Sequence, residues 1–159
     1  MQLLSSLSEW WSNTGQMPSV VRILCQGAMV ASPLLLLFLI LPVADWTVDG
    51  QQMSYRELWS SGAGAAFGIC LFLVMVGAWG LAARNSLSRW ALVLAPLAPY
   101  AVLLIFGEAS WLSKIDIRFG ILSGIVTAVV LYACLFHLSG VRNYLSGGGD
   151  ERMNGRGHS

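Results

Sequence analysis

The chain has 159 residues, enough for one domain, of which 56% are hydrophobic and 11% charged, with a net charge of +1 and a mean hydropathy of +0.67. Soluble domains carry about a quarter of their residues as charged side chains, so this composition excludes a water-soluble globule, a disordered regulator and a disulfide-stapled secreted module. The near-neutral charge leaves no basic footprint for nucleic acid, and no nucleic-acid partner is expected. The expected fold is all-α, an integral membrane protein whose first partner is membrane lipid.

Residues 1–15 open the chain without the basic start, short apolar core and small-residue cleavage site of a secretory leader, in that order. Leu3, Leu4, Leu7, Trp10 and Trp11 instead share one helical face, with Ser5, Ser6, Ser8 and Glu9 opposite. This spacing predicts an N-terminal amphipathic helix lying on the lipid surface or docked on a partner.

Four apolar stretches follow, at about 20–43, 63–83, 90–106 and 119–138. Each is close to the 17–25 residues that cross roughly 30 Å of hydrocarbon. Helices are the expected form, because an open strand in lipid leaves its amides unpaired. The arrangement predicted is a four-helix transmembrane bundle with consecutive helices as antiparallel neighbours. Arg22, Arg84, Arg89, Arg142, Arg152 and Arg156 fall on one side, and Arg56, Lys114 and Arg118 on the other. By the positive-inside rule the six-cation side is cytoplasmic, which puts both termini there. The longest connector, 45–61, holds Met53-Ser54-Tyr55-Arg56-Glu57-Leu58-Trp59, which reads as a short helix on the outer leaflet. Trp46, Trp59 and Trp111 make an outer aromatic belt. The glycine-rich tail 146–159 reads as a flexible cytoplasmic end.

Several residues within the spans invite a closer reading. Gly64 and Gly68, and Gly120, Gly124 and Ala128, form small-residue ladders at i+4 spacing. Such ladders let helix backbones approach, within this bundle or in a seam with a second copy or a partner membrane protein. Pro96 and Pro99 remove two amide protons from the third span and should bend it, so that with Tyr100 they line a cavity or mark a kinked packing helix. Arg22, Gln26, His137 and Arg142 lie near the cytoplasmic surface, where they form an anion or lipid-headgroup pocket or serve as interfacial anchors.

Enzyme chemistry finds little support. Cys25, Cys70 and Cys134 are scattered singly, no HExxH or GxSxG string occurs, and no carboxylate lies inside a span. His137 is the only histidine in a span, too few ligands for a haem. No catalytic group, metal or cofactor is expected.

The string Gly80-Leu81, then Arg84, then Arg89-Trp90-Ala91, together with the closing Val141-Arg142-Asn143-Tyr144, resembles small four-span bacterial inner-membrane proteins of uncharacterised function. In these, a basic turn and Arg-Trp-Ala open the third helix and a Val-Arg-x-Tyr-Phe string closes the fourth; here Leu145 stands in place of the Phe. The resemblance covers spans two to four and implies an architecture in the bacterial inner membrane, not an activity. The expected function is accordingly non-enzymatic, an accessory subunit or small sensor-like bundle acting through protein or lipid contacts. The alternative is a small oligomeric transporter or channel for a cation or amphiphile, with Asp45, Asp49, Glu57, Glu108 and Asp116 at its outer mouth.

Overall fold

The structure, a computed structural model, describes residue 15 and residues 17–42, 46–48, 51–106 and 117–146. The expected amphipathic helix at 1–15, the tail beyond residue 146, and Asp45, Asp49, Glu108, Trp111, Lys114 and Asp116 lie outside these residues. Among these residues the regular structure is helical apart from one short hairpin.

Helix α1 (Ser19–Ile40) starts after Pro18, whose fixed φ suits a helix entrance, and carries Pro33 in its interior. Its 22 residues extend about 33 Å. Strands β1 (Trp46–Val48) and β2 (Gln51–Met53) then pair antiparallel, Trp46 opposite Met53 and Thr47 opposite Gln52. Helix α2 (Tyr55–Ser60) follows, overlapping the stretch 53–59 expected to be helical, whose Met53 belongs to β2 instead. It is started by a capping box: the backbone N–H of Ser54 donates to Glu57 Oε2 at 2.9 Å, and the Glu57 N–H donates to Ser54 Oγ at 3.4 Å. Tyr55 ties this helix to α1 by donating its hydroxyl to the Ile40 carbonyl at 2.7 Å, which satisfies one of the four carbonyls that a helix end leaves open. Leu39, Met53, Leu58 and Ala63 close into a small core beneath the hairpin, with Trp46 packed on it.

Helix α3 (Ala63–Ala82) is the central element and touches α1, α4 (Ser88–Leu94) and α5 (Ala98–Phe106). Its buried residues are Ala63, Gly64, Ala66, Gly77, Ala78 and Ala82, all small, and one large side chain, Leu81. A methyl group at Gly77 would lie 2.5 Å from Leu92 Cγ, and one at Gly80 would lie 2.6 Å from Ser88 Cβ. The backbones of α3 and α4 therefore meet with no room for a side chain. Helix α3 ends in a Schellman turn, with Asn85 N–H donating to Gly80 O at 2.8 Å and Arg84 N–H to Leu81 O at 3.0 Å. Arg84 occupies the left-handed position, φ 58°, that glycine usually fills.

Helices α4 and α5 meet at a 60° bend. Pro96 sits in the break and Pro99 in the first turn of α5; neither has an N–H, so the carbonyls of Leu92 and Ala95 receive no bond from four residues on. Helix α6 (Ile117–Tyr132) continues through a wider π turn at Ala133–His137. At Leu138 the backbone becomes extended, and α7 (Ser139–Leu145) begins. Its Val141 and Tyr144 are buried in the main core with Met17, Val21, Cys25, Leu81 and Ala82. The start of α1, which carries Arg22, the end of α3 just before Arg84, and α7, which carries Arg142, thus converge in one core.

Among the described residues three segments are long and apolar enough to cross a membrane, Ser19–Ile40, Ala63–Ala82 and Arg118–His137, and the bent pair is a fourth if it is one span. Large apolar side chains face outward on α1 and α6, including Ile23, Phe38, Leu122 and Val129.

The α3–α4 seam predicts a sharp contrast between two glycines. Gly77→Ala is expected to cost about 1–3 kcal/mol, as overpacking does, and to lower the melting temperature in detergent. Gly27→Ala, which meets no atom within 4 Å, should leave it unchanged. Equal melting of the two variants would contradict the seam.

Candidate functional site

Two concavities and one buried contact hold most of the chemically interesting side chains. The first is a cavity of about 360 Å³ at the bend, walled by Ala63, Ala66, Phe67 and Cys70 of α3, by Pro96, Pro99, Tyr100 and Leu103, and by Ser123, Gly124 and Thr127 of α6. Pro96, Pro99 and Tyr100, singled out in the sequence, all lie in its wall. The Tyr100 ring rests on the glycine face of α6: a methyl group at Gly120 would lie 2.5 Å from its Cε1, and one at Gly124 would lie 3.0 Å from its Cε2 and 2.9 Å from the Pro96 carbonyl oxygen. Thr127 donates its hydroxyl to the Ser123 carbonyl at 2.8 Å, a bond within its own helix. Beyond Thr127, Ser123, Cys70 and the Tyr100 hydroxyl the lining residues are apolar, which suits an apolar chain or a ligand with few polar atoms.

The second is a notch of about 390 Å³ where α7 comes beside the turn leading into α4. Ser86, Arg89, Arg142, Asn143, Leu145 and Ser146 line it. Arg89 is held from two sides: its Nε–H donates to the Ser86 carbonyl at 3.1 Å, and its guanidinium carbon lies 4.3 Å from the centre of the Phe136 ring. Phe136 in turn stacks on Tyr132, with ring centres 4.7 Å apart, and packs against Trp90 at 5.0 Å. The π turn carries this aromatic cluster, as such turns often do at functional places.

The buried contact joins α7 to the end of α3. Tyr144, 5% exposed, donates its hydroxyl to the Ala82 carbonyl at 3.1 Å, and the Arg84 guanidinium carbon lies 5.3 Å from the centre of its ring. Burial pushes the Tyr144 phenol above its ordinary value, and the adjacent Arg84 charge offsets part of that.

The structure divides the expected groupings. Gly120, Gly124 and the buried Ala128 form one inward face of α6. Gly64 and Gly68 face different neighbours: a methyl group at Gly64 would lie 2.9 Å from Trp59 Cδ2 of α2, and one at Gly68 would lie an ordinary 3.5 Å from Leu39 Cδ2 of α1. Gly77 and Gly80, three residues apart, are tight positions of α3 against α4 that a search at i+4 spacing passes over. Of Arg22, Gln26, His137 and Arg142, only Arg142 lines the notch; Arg22 donates to the Gly15 carbonyl at 3.4 Å and His137 meets the Tyr132 ring edge-on at 5.6 Å. The extended backbone at Leu138 separates the π turn that carries His137 from α7, which carries Arg142. Glu57, expected at an outer mouth, spends its carboxylate on the cap of α2.

Among the described residues no group of three or more His, Cys, Asp or Glu side chains is placed to hold a metal ion, and Cys25, Cys70 and Cys134 are free thiols. No protein-family model, no curated protein and no solved structure matches the chain.

Tyr144→Phe removes the bond to Ala82 and is expected to cost about 0.5–1.5 kcal/mol. The folded state favours the protonated phenol, so this contribution is fully present below the ordinary tyrosine value of 10.0 and is lost as pH rises above it. Melting curves of the parent and Tyr144→Phe should therefore differ at pH 8 and converge above pH 10. A constant difference across that range would contradict the account.

Proposed function

We propose that this chain is a bacterial inner-membrane protein, a four-helix transmembrane bundle with both termini in the cytoplasm, in which α4 and α5 together make the third crossing. It works without catalysis, as an accessory subunit or small sensor-like bundle that acts through lipid and protein contacts. The observation that carries this reading is the inverted packing: aliphatic and aromatic side chains cover the outside of α1 and α6, while alanine and glycine occupy the inside of α3. Such an exterior is stable only where the solvent is hydrocarbon. The cation count supports the orientation, because Arg22, Arg84, Arg89 and Arg142 belong to the same end. The resemblance of the basic turn and of the closing Val-Arg-Asn-Tyr string to small four-span bacterial proteins supports the choice of membrane.

Contacts rather than catalysis are favoured by the absence of charged side chains from Phe119–Leu138 and from α3. An ionisable residue at membrane depth is the usual mark of an ion path or proton relay. A partner membrane protein or a second copy has an apolar surface available on the outward faces of α1 and α6.

The rival reading, an oligomeric transporter, draws on the cavity beside Tyr100, which has room for part of an amphiphile. Proteoliposome flux separates the two. The contact reading predicts no movement of sodium, potassium or a fluorescent cationic amphiphile above empty vesicles. Flux that changes with Tyr100→Phe would overturn it in favour of transport.

A further inference from the structure

We infer that the notch between Arg89 and Arg142 is a phosphate-binding site that takes the headgroup of an anionic phospholipid. This rests on the membrane reading and deepens it by naming the ligand class.

Two arginines, Arg89 and Arg142, line one small concavity together with Ser86, Asn143, Leu145 and Ser146. Among the described residues, none that lines the notch carries a carboxylate. Arg89 is also pre-oriented. Its Nε–H is committed to the Ser86 carbonyl and its face is laid on Phe136, which leaves the two terminal nitrogens as the donating edge of the fork. A guanidinium held in that way binds the oxygens of a phosphate in pairs and loses little side-chain freedom in doing so.

The surroundings select a lipid over a soluble phosphate. Beside the notch stand Leu87, 72% exposed, and Trp90, 48% exposed. Tyr132 and Phe136 extend the same aromatic surface along α6. A phosphodiester in the notch would therefore have its acyl chains beginning on exposed apolar side chains. Basic pockets between transmembrane helices at the cytoplasmic face are suited to anionic lipid headgroups.

The test uses the full chain in detergent, titrated with dioleoyl phosphatidylglycerol, dioleoyl phosphatidylcholine and inorganic phosphate, with bound adducts counted by native mass spectrometry. Phosphatidylglycerol should bind in preference to phosphatidylcholine. Arg89→Gln and Arg142→Gln should each weaken it about fivefold, the effect of one cation at a membrane surface. Arg89→Lys, which keeps the charge and loses the fork, should weaken it nearly as much. Arg22→Gln, outside the notch, should leave it unchanged. Equal losses for Arg22→Gln and Arg89→Gln would show a diffuse basic end and overturn the site. Displacement of the lipid by millimolar inorganic phosphate would reassign the site to soluble phosphate. Resistance of each variant to alkaline extraction from membranes is read in parallel. Extraction of the parent protein would sink the membrane reading itself, whereas retention with unselective lipid binding would sink only the site.

Discussion

The close approach of α3 to its neighbours is the interaction on which the rest of the molecule depends. Hydrocarbon does not reward the burial of one leucine against another, so helices within it are held by dense contact between backbones. Helix α3 meets that demand with alanine and glycine on its inner face, and at Gly77 and Gly80 the chain of α4 comes close enough to exclude a methyl group. The long side chains are consequently displaced to the outside, where Ile23, Phe38 and Leu122 stand exposed. The bend between α4 and α5 follows the same economy. Pro96 and Pro99 swing α5 so that Tyr100 lies flat on Gly120 and Gly124 of α6, and the space left over is the cavity.

At the helix ends the problem changes from packing to hydrogen bonding. Open carbonyls there need partners from outside their own helix, and two tyrosines supply them, Tyr55 at Ile40 and Tyr144 at Ala82. Arg84 accepts a left-handed backbone that costs a residue with a Cβ about 1–2 kcal/mol. The two Schellman bonds, local to the end of α3, and the contact with the Tyr144 ring offset that cost, and the ring contact depends on α7 docking where it does. The same docking lets Tyr144 cap the Ala82 carbonyl and places Arg142 with Arg89 in the wall of the notch.

Much of this was legible in the residues. Runs of apolar residues as long as a bilayer is thick mark the long helices, and the loss of two amide protons at Pro96 and Pro99 marks the bend and the cavity beside Tyr100. The hairpin was also written in the chain, as Trp46-Thr47-Val48 and Gln51-Gln52-Met53 around Asp49-Gly50, a two-residue connection of the kind that favours tight hairpins. Gly77 and Gly80 escaped because their spacing is three, and because glycine in an apolar run shows its use only once Leu92 and Ser88 are seen opposite. The notch was beyond the reach of periodicity. Its geometry depends on the π turn and on the extended backbone at Leu138, in a stretch whose composition is uniformly apolar up to His137.

The account stands on the third crossing, because only a bent α4–α5 pair that traverses the membrane leaves the turn at Arg84–Arg89 and the end of α7 on the same side. Single cysteines at Gln52, Leu87, Ser113 and Ser146, in a background with Cys25, Cys70 and Cys134 replaced by alanine, measure this with an impermeant thiol reagent. Four crossings predict labelling of positions 52 and 113 from outside intact spheroplasts, and of 87 and 146 only after permeabilisation. Protection of position 113 together with 87, and labelling of 146 with 52, would show that the bent pair re-emerges on the side it entered and would contradict the account.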